Sequence, residues 1–333
     1  MLTKRQNMIE TMKGGHPDRF VNGYEALGLV MGSPFGKRNP NPKPGELNVV
    51  NAWGITKSWP KGTPGAFPVH TPDKIVIKDI EEWQKYVKVP RVKYDAEEWE
   101  PFIEMAEKVD RNEQFVCAYF APGVFEQCHY LMEIQNCLMA FYESPDEMHE
   151  LIDAITQFEL DYAAEVCKYL KPEGLFHHDD WGSQQSTFIS PDMFREFYKP
   201  SYEKIYGYYK SHGVELIVHH SDSYAATLVP DMIDMGIDIW QGVMTSNNIP
   251  ELIKEYGKNE KDSGSAAVQV AILTDRVREL TEHMKLHPKD FHTRRGLLML
   301  VGKRRRLLSY IKKGDVEAYR TLIKSLGIRD NIQ

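Results

Sequence analysis

Along the first two thirds of the chain, short apolar runs end in polar residues or glycine and are followed by stretches of helical spacing. Phe20–Ala26, Leu47–Gly54, Phe115–Phe120, Gly174–Asp180, Val214–His220 and Ile237–Val243 read as strands. Ser190–His212, opened by Ser-Pro-Asp with serine as cap and proline at the first helical position, and Ala225–Met235 read as helices. Alternation of this kind predicts parallel βα units. Beyond Gly257 the period changes and no strand pattern remains. Val268, Ile272, Val277, Leu280 and Met284 follow one helical face. After a loop at His287–Asp290, a second face carries Leu297, Leu300, Val301, Leu308 and Ile311 and stops at Gly314. Val316, Tyr319, Ile323 and Leu326 mark a third, shorter helix.

Charge sharpens that break. The 333 residues carry a net charge of -7, yet residues 258 to 333 hold 17 Lys+Arg against 9 Asp+Glu, so a segment of +8 follows one of -15. All six Trp and all four Cys precede the break. The reading is two domains, 1–257 and 258–333, with the opening helix of the second starting near 249. The start of the chain is polar, and no apolar stretch is long enough for a bilayer, so a cytoplasmic location without membrane partners is expected. Cys117, Cys128, Cys137 and Cys167 form no CxxC pair and fit buried thiols in a reduced compartment.

In the first domain two strand ends gather the chemistry: His177-His178-Asp179-Asp180-Trp181-Gly182 and His219-His220-Ser221-Asp222. Side chains alternate along a strand, so His178 and Asp180 share one side, as do His220 and Asp222 if the strand continues that far. Such imidazole and carboxylate pairs suit acid/base catalysis, with His178, Asp180, His220 and Asp222 as candidates, or a divalent metal on His220 and Asp222. A hydrogen-bonded polar mouth without metal is the alternative. Tyr24, Glu25 and Trp53, at the ends of earlier strands, are candidate pocket residues.

In the second domain Arg294, Arg295, Lys303, Arg304, Arg305 and Arg306 cluster in and beside one helix, and phosphate is the natural counter-charge. The string Asp-Ser-Gly-Ser-Ala-Ala-Val-Gln-Val-Ala-Ile-Leu-Thr from Asp262, then His-Pro-Lys-Asp-Phe-His-Thr-Arg-Arg-Gly-Leu-Leu from His287 and Arg-Arg-Arg-Leu-Leu-Ser-Tyr from Arg304, closely resembles bacterial small-subunit ribosomal protein S15. The likeness runs from about Leu252 to Arg329. It implies binding to a three-way junction of 16S rRNA within the small ribosomal subunit, with no cofactor and no DNA. By the resemblance the RNA contacts fall on Ser263, Gly264, Gln269, His283, Asp290, Thr293, Arg294, Arg295, Arg306 and Tyr310. Ser263 stands where Thr is usual and Thr293 where Ser is usual, and both keep the hydroxyl. Spacing alone reads Tyr310 as a partly buried aromatic of a small bundle.

The histidine and aspartate strand ends, with Gly182-Ser183-Gln184, Ile189-Ser190-Pro191-Asp192-Met193-Phe194-Arg195-Glu196-Phe197 and Ile239-Trp240-Gln241-Gly242-Val243, resemble the uroporphyrinogen decarboxylase superfamily over roughly Leu2 to Gly257. That superfamily includes cobalamin-dependent methyltransferases. The resemblance implies a (β/α)8 TIM-type barrel that is incomplete, with about six of its eight strands, ahead of an all-α S15-like bundle. The decarboxylases place an Arg-rich loop after the first strand, where this chain has Gly-Leu-Val-Met-Gly-Ser-Pro-Phe-Gly from Gly28, so methyl transfer fits better than porphyrinogen decarboxylation. Methyltransferase relatives hold zinc with His-x-Cys at the position of His220-Ser221-Asp222, so Asp222 replaces the thiolate, and no Cys follows Cys167. Zinc and a cobalamin (corrinoid) protein or small-molecule methyl donor are the implied cofactor and partners. Three functions stand open: an rRNA-binding protein carrying a barrel, a barrel enzyme, or a nonfunctional chimera.

Overall fold

The computed structural model describes residues 1–13, 15–19, 21–22, 24–244, 266–286 and 291–328, and the chain divides into two compact units, Met1–Ser246 and Asn247–Gln333. The expected junction at 257/258 and the helix start near 249 lie outside the described residues.

The first unit is built on parallel strands in the order β1 (Leu27–Val30), β5 (Phe115–Phe120), β6 (Gly174–His178), β7 (Leu216–His220) and β8 (Ile239–Gln241). Strands β2 (Val49–Val50), β3 (Thr56–Ser58) and β4 (Phe67–Pro68) form a separate small antiparallel sheet. Two expected strands are thereby corrected. The first parallel strand begins at Leu27, after a turn over Tyr24–Ala26, and Leu47–Gly54 contributes only a two-residue edge to the antiparallel sheet. Asn48 at φ 57° and Gly54 at φ 82° bend that segment out of extended geometry. Five parallel strands are therefore described, against the six expected.

Alternation along these strands sorts two cores. Leu27, Phe115, Cys117, Phe176, Leu216 and Val218 pack on one face, while Val116, Ala118, Leu175 and Ile217 join the larger core under the helices. The covering helices are α1 (Lys4–Met12), α2 (Pro34–Arg38), α3 (Trp83–Tyr86), α4 (Ala96–Glu107), α5 (Val124–Met132), α6 (Ile134–Glu143), α7 (Pro145–Leu170), α8 (Pro191–Phe197), α9 (Lys199–Ser211) and α10 (Val229–Asp234). The single helix expected over Ser190–His212 is two. Ser190 Oγ caps the first by accepting from Met193 N–H, and Pro200 cannot donate an intrahelical hydrogen bond, so the chain restarts at Lys199. Ala225–Met235 likewise divides into a 3-10 turn at Ala226–Leu228 and α10.

The second unit is α11 (Ala266–Leu286), α12 (Phe291–Gly314) and α13 (Val316–Ser325). Val270, Ala271, Leu308, Tyr319, Leu322, Ile323 and Leu326 form its core. Asp315 caps α13 by accepting from the backbone N–H groups of Glu317 and Ala318 at 3.0 and 2.9 Å, and Arg278 donates to the Leu326 carbonyl oxygen at 2.6 Å. No helix among the described residues is long and apolar enough to cross a membrane.

Candidate functional site

Parallel register places His178 beside His220, their ring centroids 4.5 Å apart at the carboxyl ends of β6 and β7. Both strands stop at these histidines, so Asp180 and Asp222 stand on the loops just beyond. The loops are tied together by Asp222 N–H donating to Asp180 Oδ1 at 2.9 Å. His178, Asp180 and Asp222 line a cavity of about 780 Å³, and Asp180, His220 and Asp222 bring one donor atom each within 4.8 Å of one another. The four candidates from the sequence therefore come together.

Glu126, on α5, completes the cluster and was invisible in the sequence. His178 Nδ1 lies 2.9 Å from Glu126 Oε2, and Tyr130 OH donates to Glu126 Oε1 at 2.9 Å. Burial opposes ionisation of Glu126, but the hydrogen bond and charge of His178 outweigh it and hold the carboxyl below its usual range. Burial also opposes the charge on His178, yet the Glu126 carboxylate carries the imidazole up to about 9, so it is a cation at neutral pH. Asp180 is pushed up to about 7 by burial and the nearby Glu126 charge. His220, its pKa lowered by burial, is neutral, and donation from Nδ1–H to Gln241 Oε1 leaves a lone pair on Nε2. Acidic and basic groups with separated pKa values now line one wall of one cavity, which is what proton transfer needs.

A shared cap fixes α5 beneath this wall. Asp179 accepts from the N–H groups of Phe125 at 3.0 Å and Glu126 at 2.9 Å, and from the hydroxyl of Tyr202. Gly123 lets the helix approach so closely, since a Cβ there would stand 2.5 Å from Asp179 Oδ2. The same cavity is lined by Lys57, whose pKa is lowered by burial against the pull of Glu126, and by the rings of Phe35, Trp53 and Phe158. Of the other pocket candidates Trp53 lines the cavity, whereas Tyr24 and Glu25 do not. Glu25 is paired with Arg19 at 2.5 Å, and Tyr24 stacks on Phe176.

In the second unit Arg306, Tyr310 and Lys313 follow at helical spacing on α12, and all three are exposed, Tyr310 at 72%. Tyr310 is therefore not part of the bundle core. Arg305 is exposed beside them, whereas Arg304 is half-buried and donates to Thr274 Oγ1 at 3.3 Å. Thr293, Arg294 and Arg295 fall in the first turn and a half of α12 and Gln269 and His283 on α11, with only their backbones described. Ser263, Gly264 and Asp290 lie outside the described residues.

Two family profiles match this chain. Uroporphyrinogen decarboxylase (URO-D) matches residues 48–264, and Ribosomal protein S15 matches residues 249–329. The chain belongs to both families. Its S15 part is 58% identical over 79 residues to small ribosomal subunit protein uS15 of Fusobacterium nucleatum subsp. nucleatum, covering 24% of this chain and 93% of that protein. It is 54% identical over 86 residues to the uS15 of Carboxydothermus hydrogenoformans, covering 26% of this chain and 97% of that protein. The uS15 of Treponema pallidum is 52% identical over 86 residues, with the same coverage on both sides. The URO-D and S15 matches overlap over residues 249–264, where one sequence satisfies both profiles, and the chain is a chimera of the two.

Proposed function

We propose that the S15 part is the working part of this chain, an rRNA-binding structural constituent of the small ribosomal subunit that recognises a three-way junction of 16S rRNA in the cytoplasm. The likeness to uS15 over 93% of that protein's length carries the reading. The exposed face of Arg306, Tyr310 and Lys313 supports it. A-form RNA hides its base edges in a narrow major groove, so a protein grips it through phosphates, 2'-hydroxyls and stacking, for which Arg, Lys and Tyr are suited. Ser263, Gly264, Gln269, His283, Asp290, Thr293, Arg294 and Arg295 are proposed as further contacts by the same likeness. The test is binding of the full chain to a 16S junction fragment at two salt concentrations, against a scrambled RNA of equal length. Junction-selective, salt-sensitive binding supports the reading. Weak, unselective binding overturns it and leaves the barrel, or a nonfunctional chimera, as the remaining account.

A second reading concerns the URO-D part, proposed as the open remnant of a barrel cut short at the junction near residue 257, β8 being the last parallel strand among the described residues. The cluster of Glu126, His178, Asp180, His220 and Asp222 favours an enzymatic ancestry in cobalamin-linked methyl transfer over porphyrinogen decarboxylation. A polycarboxylate would meet Glu126, Glu159, Asp180 and Asp222 with Lys57 as the only Lys or Arg lining the cavity among the described residues. Zinc, which such a transfer uses to activate a thiol as a nucleophile, fits Asp180, His220 and Asp222 as one nitrogen and two oxygen donors. The set is harder than one containing thiolate, and the side chains must close somewhat from their 4.8 Å span to reach one ion. His178 and Glu126 border the set as a hydrogen-bonded pair, Nδ1–H donating to Oε2, so the imidazolium proton left to supply is the one on His178 Nε2. A corrinoid protein or a small-molecule methyl donor is the implied partner. Stoichiometric zinc lost in His220→Ala, with RNA affinity unchanged, supports this reading, and absence of zinc uptake by the intact chain removes the metal from it.

A further inference from the structure

Lys57 is the middle residue of β3, itself the middle strand of the small antiparallel sheet, and pairs with Val49 on one side and Pro68 on the other, so its backbone is held from both flanks. The side chain lines the cavity, and its ammonium stands over the ring of Tyr130, 5.6 Å from the centroid. Lys57 is half-buried, and among the described residues its Nζ has neither an ion pair nor a hydrogen-bond acceptor. Glu126, the carboxylate whose charge reaches it, is already engaged through both oxygens, by His178 at 2.9 Å and by Tyr130 at 2.9 Å. A half-buried cation without a counter-ion is costly, and an anion entering the cavity would offset that cost.

Two amides extend the donor set. Asn51 and Asn39 line the same cavity. Asn51 Oδ1 accepts from the backbone N–H groups of Trp53 at 3.0 Å and Ile55 at 2.9 Å, and Asn39 Oδ1 accepts from the N–H of Ala52 at 3.0 Å. A backbone N–H only donates, so these partners fix which arm of each amide is the oxygen and leave Nδ2 as a donor on the other. Neither Nδ2 has an acceptor among the described residues, and both keep solvent-accessible surface. The pairing of Val49 with Lys57 is continued by Asn51 N–H donating to the Ile55 carbonyl oxygen at 3.0 Å. Asn51 and Lys57 are therefore diagonal neighbours on one face of the hairpin, and Asn39 is tied beside them through Ala52.

We propose that Lys57, Asn51 and Asn39 form an anchor for the carboxylate of a small monocarboxylic acid, whose apolar body is taken up by the ring-lined remainder of the cavity. The ammonium supplies the counter-charge, and the two amides supply N–H donors to the carboxylate oxygens. The rings of Phe35, Trp53 and Phe158 line the same cavity and suit an apolar body. One anchor suits one carboxylate. A second would meet Asp180 and Asp222 with no further Lys or Arg lining the cavity among the described residues. The anchor rests on the reading of the cavity as the barrel's substrate site, and it specifies the charge of that substrate.

Calorimetric titration of the full chain with benzoate, and with benzamide as its neutral counterpart of the same shape, tests it. Benzoate should bind at least about tenfold tighter than benzamide, since a hydrogen bond between charged partners contributes that factor or more. Lys57→Met, which keeps the stem and removes the charge, should lose at least about tenfold in benzoate affinity and hold benzamide within about threefold. Asn51→Asp keeps the oxygen that holds the Trp53 and Ile55 N–H groups and exchanges the donor for a negatively charged acceptor. It should leave the unfolding midpoint nearly unchanged and weaken benzoate at least about tenfold more than benzamide. Benzoate binding no tighter than benzamide in the parent chain, or undiminished in either variant, overturns the anchor while leaving the cavity as a ligand site. Failure of both ligands to bind overturns the anchor together with the reading of the cavity as a substrate site.

Discussion

His178 Nδ1 and Glu126 Oε2 lie 2.9 Å apart, joining the end of β6 to the first turn of α5 across 52 residues of sequence. The pair raises the one group and lowers the other, so imidazolium and carboxylate face each other at neutral pH. Tyr130 holds the second carboxylate oxygen, which fixes the orientation of Glu126 toward the histidine. A cation anchored in this way beside Asp180 and His220 gives the barrel mouth a defined electrostatic direction rather than a loose set of polar side chains.

Replacing Glu126 by Gln removes the counter-charge and keeps the shape. The His178 pKa should fall from about 9 toward the ordinary imidazole value, followed by histidine 15N NMR between pH 5 and 10. Stability should drop by about 1–3 kcal/mol in denaturant unfolding, as a buried charge-assisted hydrogen bond is weakened. An imidazole still protonated at pH 8 in the variant would mean that another group, not Glu126, holds the proton.

Gly123→Ala should be among the most damaging single-methyl additions to the barrel. The added carbon would sit 2.5–2.7 Å from three atoms of the Asp179 side chain, whose carboxylate caps α5 and is pinned by Tyr202. The neighbour cannot rotate away without uncapping the helix that carries Glu126. A loss of about 2–4 kcal/mol is expected from overpacking plus loss of the cap. Thermal unfolding checks it, with Gly207→Ala as the control, since nothing lies within 4 Å of a Cβ there.

The chain announces its regular parts and conceals its contacts. Phe115–Phe120 was legible to the residue because a buried parallel strand is a continuous apolar run bounded by polar residues. The three helices after residue 265 were legible from their 3.6-residue period and glycine stop. Leu27–Val30 was missed because its Leu-Gly-Leu-Val run abuts a second apolar run upstream, and only pairing with β5 decides between them. At the site, alternation put His178 with Asp180 and His220 with Asp222, whereas the register that sets His178 beside His220 came only from strand pairing. Glu126 gave no signal, because one acidic residue in a helix reads as a solvated face until tertiary packing buries it.

Two substitutions on α12 separate RNA contact from folding. Arg306 and Tyr310 are exposed and sit outside the three-helix core, so Arg306→Ala and Tyr310→Ala should each change stability by less than about 0.5 kcal/mol. Arg306→Ala should weaken junction RNA binding and reduce the slope of log affinity against log salt by about one unit, as one phosphate contact disappears. Tyr310→Ala should weaken binding by about 1–3 kcal/mol if it stacks, with the slope unchanged. Filter binding across a salt series distinguishes the two. An unchanged affinity in both variants would remove this face from the RNA interface.

Acid should destabilise the barrel through His129 as well as through its carboxylates. Burial on α5 pushes this imidazole down to about 4, with the nearby Glu126 charge pulling weakly the other way. The folded-state pKa therefore lies below the unfolded value of about 6.5, so between these two values the unfolded chain binds a proton that the native protein refuses. Stability should fall as pH drops through that window and level off, as far as His129 is concerned, below it. The residue as a whole is only half-buried, and solvent screening trims the full linkage to on the order of 2 kcal/mol. The check is a denaturant series from pH 7 to pH 4 on the parent chain and on His129→Gln, which cannot take up the proton. The variant should lose less stability across the window. Parallel curves would place the acid sensitivity elsewhere.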